Sequence, residues 1–364
     1  MEAPTLVVSS SPHLHAKSNT SAIMWNVSIA LAPAALWGVF AFGFRALLVL
    51  CVSIATSVFT EWLLNRISKE FTIRDGSAFL TGLLIGMNMP PAVPVFVPIL
   101  ASIFAIAVAK WVFGGLGSNW INPALAGRVF VFFSFTGLMS NYTLPRFVQS
   151  VDGISSATML TTIKMQIGDS AIQQLSSPAI LSEIGYPASQ FSLKVSQMLG
   201  DVLSPYTIDA FFGLVGGSIG EISAILLLIG ATYLLARKII TWHIPVAFLG
   251  TFIVFTWMFG GLRNGMGLFT GDVMLPLFSG GMMLGAFFMA TDMVTSPTTA
   301  KGMIIFGTGI GFFTFLLRYF GSLPESVSLA IIIMNIFTPT IERYVMPKRF
   351  GEVAKKSVKK KEAK

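Results

Sequence analysis

Stretches of roughly twenty apolar residues recur along this chain, each closed by glycine, proline or a cluster of basic residues. A run of that length matches the thickness of a bilayer's hydrocarbon core when it is helical. Inside hydrocarbon every backbone N–H and C=O must find a partner within the protein, which restricts spanning structure to helices and closed barrels. Runs this long favour helices, since barrel strands are about half as long. Only 11% of the 364 residues are charged and 54% are hydrophobic, against roughly 25% charged in a soluble domain. The sequence therefore reads as an all-α, polytopic integral membrane protein in a lipid bilayer.

The net charge of +8 does not point to nucleic acid. The basic residues gather at segment ends, where they orient helices across a membrane. No short apolar run with a cleavage site precedes the first long one, so no signal peptide is expected. The single cysteine, Cys51, lies in an apolar run. One thiol forms no intrachain disulfide and cannot by itself hold a zinc ion or an iron–sulfur cluster.

The pattern predicts about ten transmembrane helices, at about 24–44, 46–64, 76–89, 93–113, 124–139, 211–236, 244–261, 274–291, 302–320 and 327–345. With a cytoplasmic N-terminus, the basic clusters at Arg66–Arg74, Arg237-Lys238, Lys301 and Lys348 onward all fall on the cytoplasmic side, as the positive-inside rule requires. The third and eighth runs are short, rich in glycine and followed by Pro90-Pro91 and Pro297. Paired broken helices in corresponding positions are the mark of inverted-repeat membrane proteins with a central site. The expectation is two inverted five-helix repeats with broken helices.

One long polar interval, 140–207, separates the halves. Within it lies Asp152-Gly153-Ile154-Ser155-Ser156-Ala157-Thr158, small residues and hydroxyls ending on a threonine. Taken alone, such a cluster reads as a turn or a helix cap. A threonine hydroxyl flanked by small residues is also open to esterification by a phosphate.

This segment resembles the flavin-attachment motif of the RnfD and NqrB subunits of ion-translocating oxidoreductases. Further similarities lie in Ser11-Pro12-His13, Ala30-Leu31-Ala32-Pro33-Ala34, Asp75-Gly76-Ser77-Ala78 with Leu80-Thr81-Gly82, and Phe113-Gly114-Gly115-Leu116-Gly117 with Asn122-Pro123-Ala124. In the second half they lie in Gly217-Ser218-Ile219-Gly220-Glu221 and in 288–297. The likeness spans nearly the whole chain and is closer to RnfD, because the longer N-terminal extension of NqrB is missing. Ser156 departs from the pattern, which usually carries glycine there.

The resemblance implies FMN joined through its phosphate to Thr158, with Asp152, Ser155, Ser156 and Ala157 around it. It also implies a second, noncovalent flavin, riboflavin, which we expect near the two broken helices. The implied function is electron relay in a ferredoxin:NAD oxidoreductase complex that moves Na⁺ or H⁺. The implied partners are the other Rnf subunits, including a second flavin-carrying subunit and iron–sulfur membrane subunits. The chain alone is not expected to catalyse the overall reaction.

Weaker candidates for cofactor binding are Asn119, Asn122 and Arg128, after a glycine-rich run that brings backbone N–H groups near a ligand. Glu221 and Asp292, carboxylates in or beside apolar runs, are ion-pathway candidates. The glycines at 213, 216, 217 and 220 are read as close helix packing.

The expected organisation is a cytoplasmic segment 1–23, a first membrane half 24–139, an extracytoplasmic loop 140–207 carrying the attachment site, a second membrane half 208–346 and a basic cytoplasmic tail 347–364. The expected location is the inner membrane of a bacterial or archaeal cell, with both termini cytoplasmic. The rival function class is a small-solute channel or carrier of inverted-repeat fold with no redox cofactor.

Overall fold

A computed structural model describes residues 19–68, 72–148, 155–166, 174–321 and 326–345. Asp152, most of segment 1–23 and the tail 347–364 lie outside the described residues, and Ser155 and Ser156 are described as backbone only.

The described residues are mostly helical, with almost no strand. The first half comprises α1 (Thr20–Phe42), α2 (Phe44–Ser68), α3 (Ser77–Met87), α4 (Phe96–Ile103), α5 (Pro123–Ser134) and α6 (Thr136–Met139). A π-helical stretch, Phe104–Trp111, extends α4. Strands β1 (Tyr142–Thr143) and β2 (Ser155–Ser156) pair antiparallel, Tyr142 opposite Ser156. Short helices α7 (Met159–Gln166), α8 (Ser177–Glu183), α9 (Gln190–Met198) and α10 (Pro205–Phe212) follow. The second half comprises α11 (Ala224–Ala236), α12 (His243–Phe259), α13 (Met274–Phe278), α14 (Met282–Leu284), α15 (Ala300–Tyr319) and α16 (Val327–Tyr344).

Among the described residues, four helical stretches are long and apolar enough to cross a membrane: Thr20–Phe42, Phe44–Ser68, His243–Asn264 and Ala300–Tyr319. Four more are apolar but shorter, Ser77–Met87, Phe96–Trp111, Pro123–Ser134 and Ala224–Ala236. Large side chains such as Leu36, Phe44, Ile67 and Val112 are 69–73% exposed. That is the outward-facing apolar surface a lipid-embedded bundle needs, and the fold is the all-α, polytopic one the sequence predicts.

The packing order repeats between the halves. In the first, α2 packs on both α3 and α4, and α4 on α5; in the second, α12 packs on α15, and α15 on α16. Across the halves, α1 meets α11 and α5 meets α16. These are like-placed helices contacting one another, as expected about a pseudo-two-fold. Glycines four residues apart, Gly82 with Gly86 and Gly307 with Gly311, make close helix-to-helix approaches. A Cβ at Gly82 would lie 2.7 Å from the Ile54 backbone, and one at Gly311 would lie 2.5 Å from the Phe248 carbonyl. Without a hydrophobic drive between helices in lipid, such close backbone contact is a main source of association.

Both glycine-rich runs are broken helices. The first stops at Met87, before Pro90. The second divides into α13, α14 and a π-helical turn, Gly285–Met289.

The expected continuous helix at 211–236 requires correction. Residues 213–223 are not helical and separate α10 from α11. Gly213 has φ of +88°, a left-handed conformation that favours glycine. The Ile219 and Gly220 N–H groups donate to the Met89 and Met87 carbonyls, 3.1 and 2.8 Å. The glycines here let an irregular segment close on the end of α3, where the sequence reading expects helix-on-helix packing.

Candidate functional site

Thr158 is the N-cap of α7. Its Oγ1 accepts from the Thr161 N–H at 3.3 Å and shares a 2.8 Å hydrogen bond with the Thr161 hydroxyl. The helix begins here because a short polar oxygen satisfies one of the first-turn N–H groups that have no partner inside the helix. The residue is 7% exposed. The Ala157 carbonyl beside it lies 3.5 Å from the Tyr186 hydroxyl.

A small cavity of about 20 Å³ runs from Thr158 to Gly216, Glu221 and Gly280. The loop threonine therefore sits against the irregular segment before α11 and the break between α13 and α14.

Glu221 forms a buried ion pair with Arg128 of α5, 3.3 Å between Oε1 and Nη2, both side chains nearly inaccessible. The Arg128 Nη1 also donates to the Ser328 hydroxyl at the start of α16. An isolated charge in hydrocarbon is costly, and pairing is the usual remedy. The sequence groups Arg128 with Asn119 and Asn122. The structure separates them: the guanidinium joins α5, the 213–223 segment and α16.

Asn119, Asn122 and Asp292 do come together. With Ser77, Lys110 and Thr291 they line a half-open cavity of about 110 Å³ between the N-terminus of α3 and the end of the second broken helix. Asn122 caps α5, its Oδ1 accepting from the Ala124 and Leu125 N–H groups at 3.0 and 3.4 Å. Its Nδ2 donates to the Met289 carbonyl at 3.3 Å in the opposite half. Asn119 is 4% exposed and donates to the Ile121 carbonyl; its Oδ1 has no hydrogen-bond partner among the described residues. Asp292 accepts from the Thr295 hydroxyl at 3.1 Å.

Sequence reasoning missed the second buried ion pair. Lys110 Nζ lies 2.7 Å from Glu61 Oε2, the two side chains being 2% and 0% exposed. Lys110 also donates to the Ser77 hydroxyl at 2.7 Å, and Ser77 in turn to Asp75 at 2.6 Å. Thr72 donates to the other Glu61 oxygen at 2.7 Å. The available signal was one acid and one base inside two apolar runs, each costly alone. Lys110 lies in the π-helical stretch after α4, a distortion that recurs at functional sites.

Comparison with known proteins extends this picture. A model described as the NQR2, RnfD, RnfE family matches residues 7–351. A Clostridium ljungdahlii protein, named as one subunit of a proton-translocating ferredoxin:NAD(+) oxidoreductase complex, is 42% identical over 345 residues, covering 94% of this chain and 96% of that one. Its counterpart from Acetobacterium woodii, named for a Na(+)-translocating ferredoxin:NAD(+) oxidoreductase complex, is 40% identical, with 96% and 97% covered. A Stutzerimonas stutzeri protein, named for an ion-translocating oxidoreductase complex, is 33% identical, with 93% and 94% covered.

Proposed function

This chain belongs to the NQR2, RnfD, RnfE family, and from that membership we propose that it is the electron-relay membrane subunit of an ion-translocating ferredoxin:NAD oxidoreductase complex, with FMN joined by a phosphoester to Thr158. The carrying observation is the place of that hydroxyl. It stands at the N-terminus of a helix, where backbone N–H groups and the helix dipole favour a phosphate.

The surroundings fit the group. Once Thr158 Oγ1 is an ester oxygen it no longer donates, and the Thr161 hydroxyl, now 2.8 Å away, is free to donate to a phosphate oxygen. Gly216, Gly217 and Gly280 keep the neighbourhood small. The cavity beside Thr158 is far smaller than a flavin ring, so the ring lies outside it. Bound there, FMN supplies a carrier that takes and gives electrons singly or in pairs; the protein holds its position and sets its electrostatics.

For a noncovalent riboflavin the second cavity offers polar partners to one edge of the ring. Asn119 offers a buried amide oxygen to a ring N–H, and Asn122 and Asp292 line the same space. At about 110 Å³ this cavity admits an edge of such a ring rather than all of it, since enclosed ligand pockets run to several hundred Å³. Lys110, ion-paired with Glu61 and hydrogen-bonded to Ser77, lines the same space.

Relatives of nearly equal identity are named for protons and for Na⁺. The choice of ion therefore follows something narrower than overall similarity. Partners in this reading are the other subunits of the complex, among them iron–sulfur carriers and a second flavin-bearing subunit, and the attachment loop faces away from the cytoplasm.

The test is a denaturing gel of protein from cells that supply the attaching enzyme. A band with ultraviolet flavin fluorescence is expected in wild type, lost in Thr158→Ala. The lost cap costs only about 1 kcal/mol, so the variant still folds. A dark wild-type band would favour the small-solute carrier instead.

A further inference from the structure

A third cavity, about 40 Å³, lies along α7 beyond the attachment site. Three cationic side chains line it: Lys164 of α7, Arg263 at the end of the α12 stretch and Arg318 near the end of α15. Each is held by backbone carbonyls. Lys164 Nζ donates to the Arg318 carbonyl at 3.3 Å, and Arg263 Nη1 to the Tyr319 carbonyl at 2.6 Å. Arg318 donates to the Pro276 and Gly280 carbonyls at 2.6 and 2.9 Å and lies over the Phe252 ring.

Among the described residues no carboxylate forms an ion pair with Lys164 or Arg263. The remaining titratable groups facing them are the Tyr319 phenol and Asp272, whose carboxylate accepts from the Met274 and Leu275 N–H groups. Burial first, then repulsion from Arg263 and Arg318, lowers the Lys164 pKa to about 8. Positive charges gathered at this cost, and fixed by carbonyls, suit an anion that is present only part of the time.

The position indicates which anion. Leu160 lines both this cavity and the one at Thr158. Lys164 is six residues along α7 from Thr158, about 9 Å at 1.5 Å per residue. A flavin tethered by its phosphate at the N-cap has its ring within reach of Lys164; the cavity is far smaller than the ring, so only the ring's edge meets the cations at its mouth. Reduction of that ring by two electrons, drawn from the one-electron iron–sulfur carriers of the complex, with one proton taken at N5, leaves one negative charge over N1 and the neighbouring carbonyl. We propose that Lys164 and Arg263 are the electrostatic seat for this negatively charged ring, with Arg318 holding the surrounding backbone in place. The inference rests on FMN attachment at Thr158 and goes beyond it by assigning the residues that favour the reduced state.

The experiment is a spectroelectrochemical titration of the covalent flavin in the purified complex, for wild type, Lys164→Met, Arg263→Met and Lys164→Arg. All four keep the fluorescent band. In Lys164→Met and Arg263→Met the preference for reduced over oxidised ring falls on the order of tenfold, read as a lower midpoint potential. Wild type takes up extra protons on reduction above pH 8, because the new negative charge re-protonates Lys164. Lys164→Arg keeps the potential but loses that step. A fluorescent wild type whose Met variants keep both potential and pH profile refutes this proposal alone. A wild type without the flavin refutes the tether, and this proposal with it.

Discussion

Glu61 and Lys110 are each a liability alone and tolerable only together. Neither charge reaches water, and their 2.7 Å contact replaces the lost hydration. Removing one partner leaves the other buried and unpaired, which costs about 3–5 kcal/mol. Lys110→Met is therefore expected to lower the thermal unfolding temperature in detergent sharply, and Lys110→Met with Glu61→Leu to recover most of it; equal losses in both would contradict the pairing. Lys164 makes a prediction with a definite sign. Its pKa is lowered from 10.5 to about 8, so between those values the unfolded chain binds more protons than the folded one. Stability then rises with pH across that window, and its cost is fully present below pH 8. Unfolding temperatures measured from pH 7 to 10 should rise more in wild type than in Lys164→Met. The residue scale was the least legible in sequence. Glu61 and Lys110 lie 49 positions apart in different apolar runs, and nothing local links them. Arg128 stands out in sequence as costly, but its partners, Glu221 and Ser328, come from the other half. Thr158 stands out in sequence because its motif is contiguous, and what the structure shows of it is the plain reading of that cluster, a helix cap.

Glycines set how closely some of the elements approach one another. Gly307 and Gly311 on α15 face α12, and a Cβ at Gly311 would fall 2.5 Å from the Phe248 carbonyl oxygen. Backbone at that distance has to move, and overpacking of this kind costs about 1–3 kcal/mol. Gly309, on the same helix, faces the Met334 side chain at 2.5 Å instead, and methionine adapts readily. Gly311→Ala should therefore lower thermal stability while Gly309→Ala leaves it nearly unchanged; equal effects would show that α15 is not packed as described. The broken helices were visible in sequence, because glycine and proline mark both the interruption and its end. The 213–223 segment was misread for a related reason. Glycine is common in membrane helices, so a glycine-rich stretch between apolar residues does not announce a chain that leaves the helix and pairs its N–H groups with the end of α3.

At the scale of the whole molecule, α3 connects the two sites. Ser77 at its start donates to Asp75 and receives the Lys110 ammonium beside the Asn119–Asn122 cavity. Met87 at its end accepts from Gly220, next to Glu221 and the Thr158 cavity. With 11 residues the helix is about 16 Å long, so the two candidate flavin sites stand at opposite ends of one short buried element. The Asn119–Asn122 cavity draws residues from both halves, whereas the Thr158 cavity is lined by the loop and the second half and reaches the first through the Glu221–Arg128 ion pair. All of this depends on a cofactor at Thr158, and peptide mass spectrometry of the complex purified from flavin-replete cells tests it most directly. The account predicts that the peptide containing Thr158 carries the mass of one FMN less one water, with fragmentation placing it on that threonine. The same peptide recovered wholly unmodified from an active complex would contradict it.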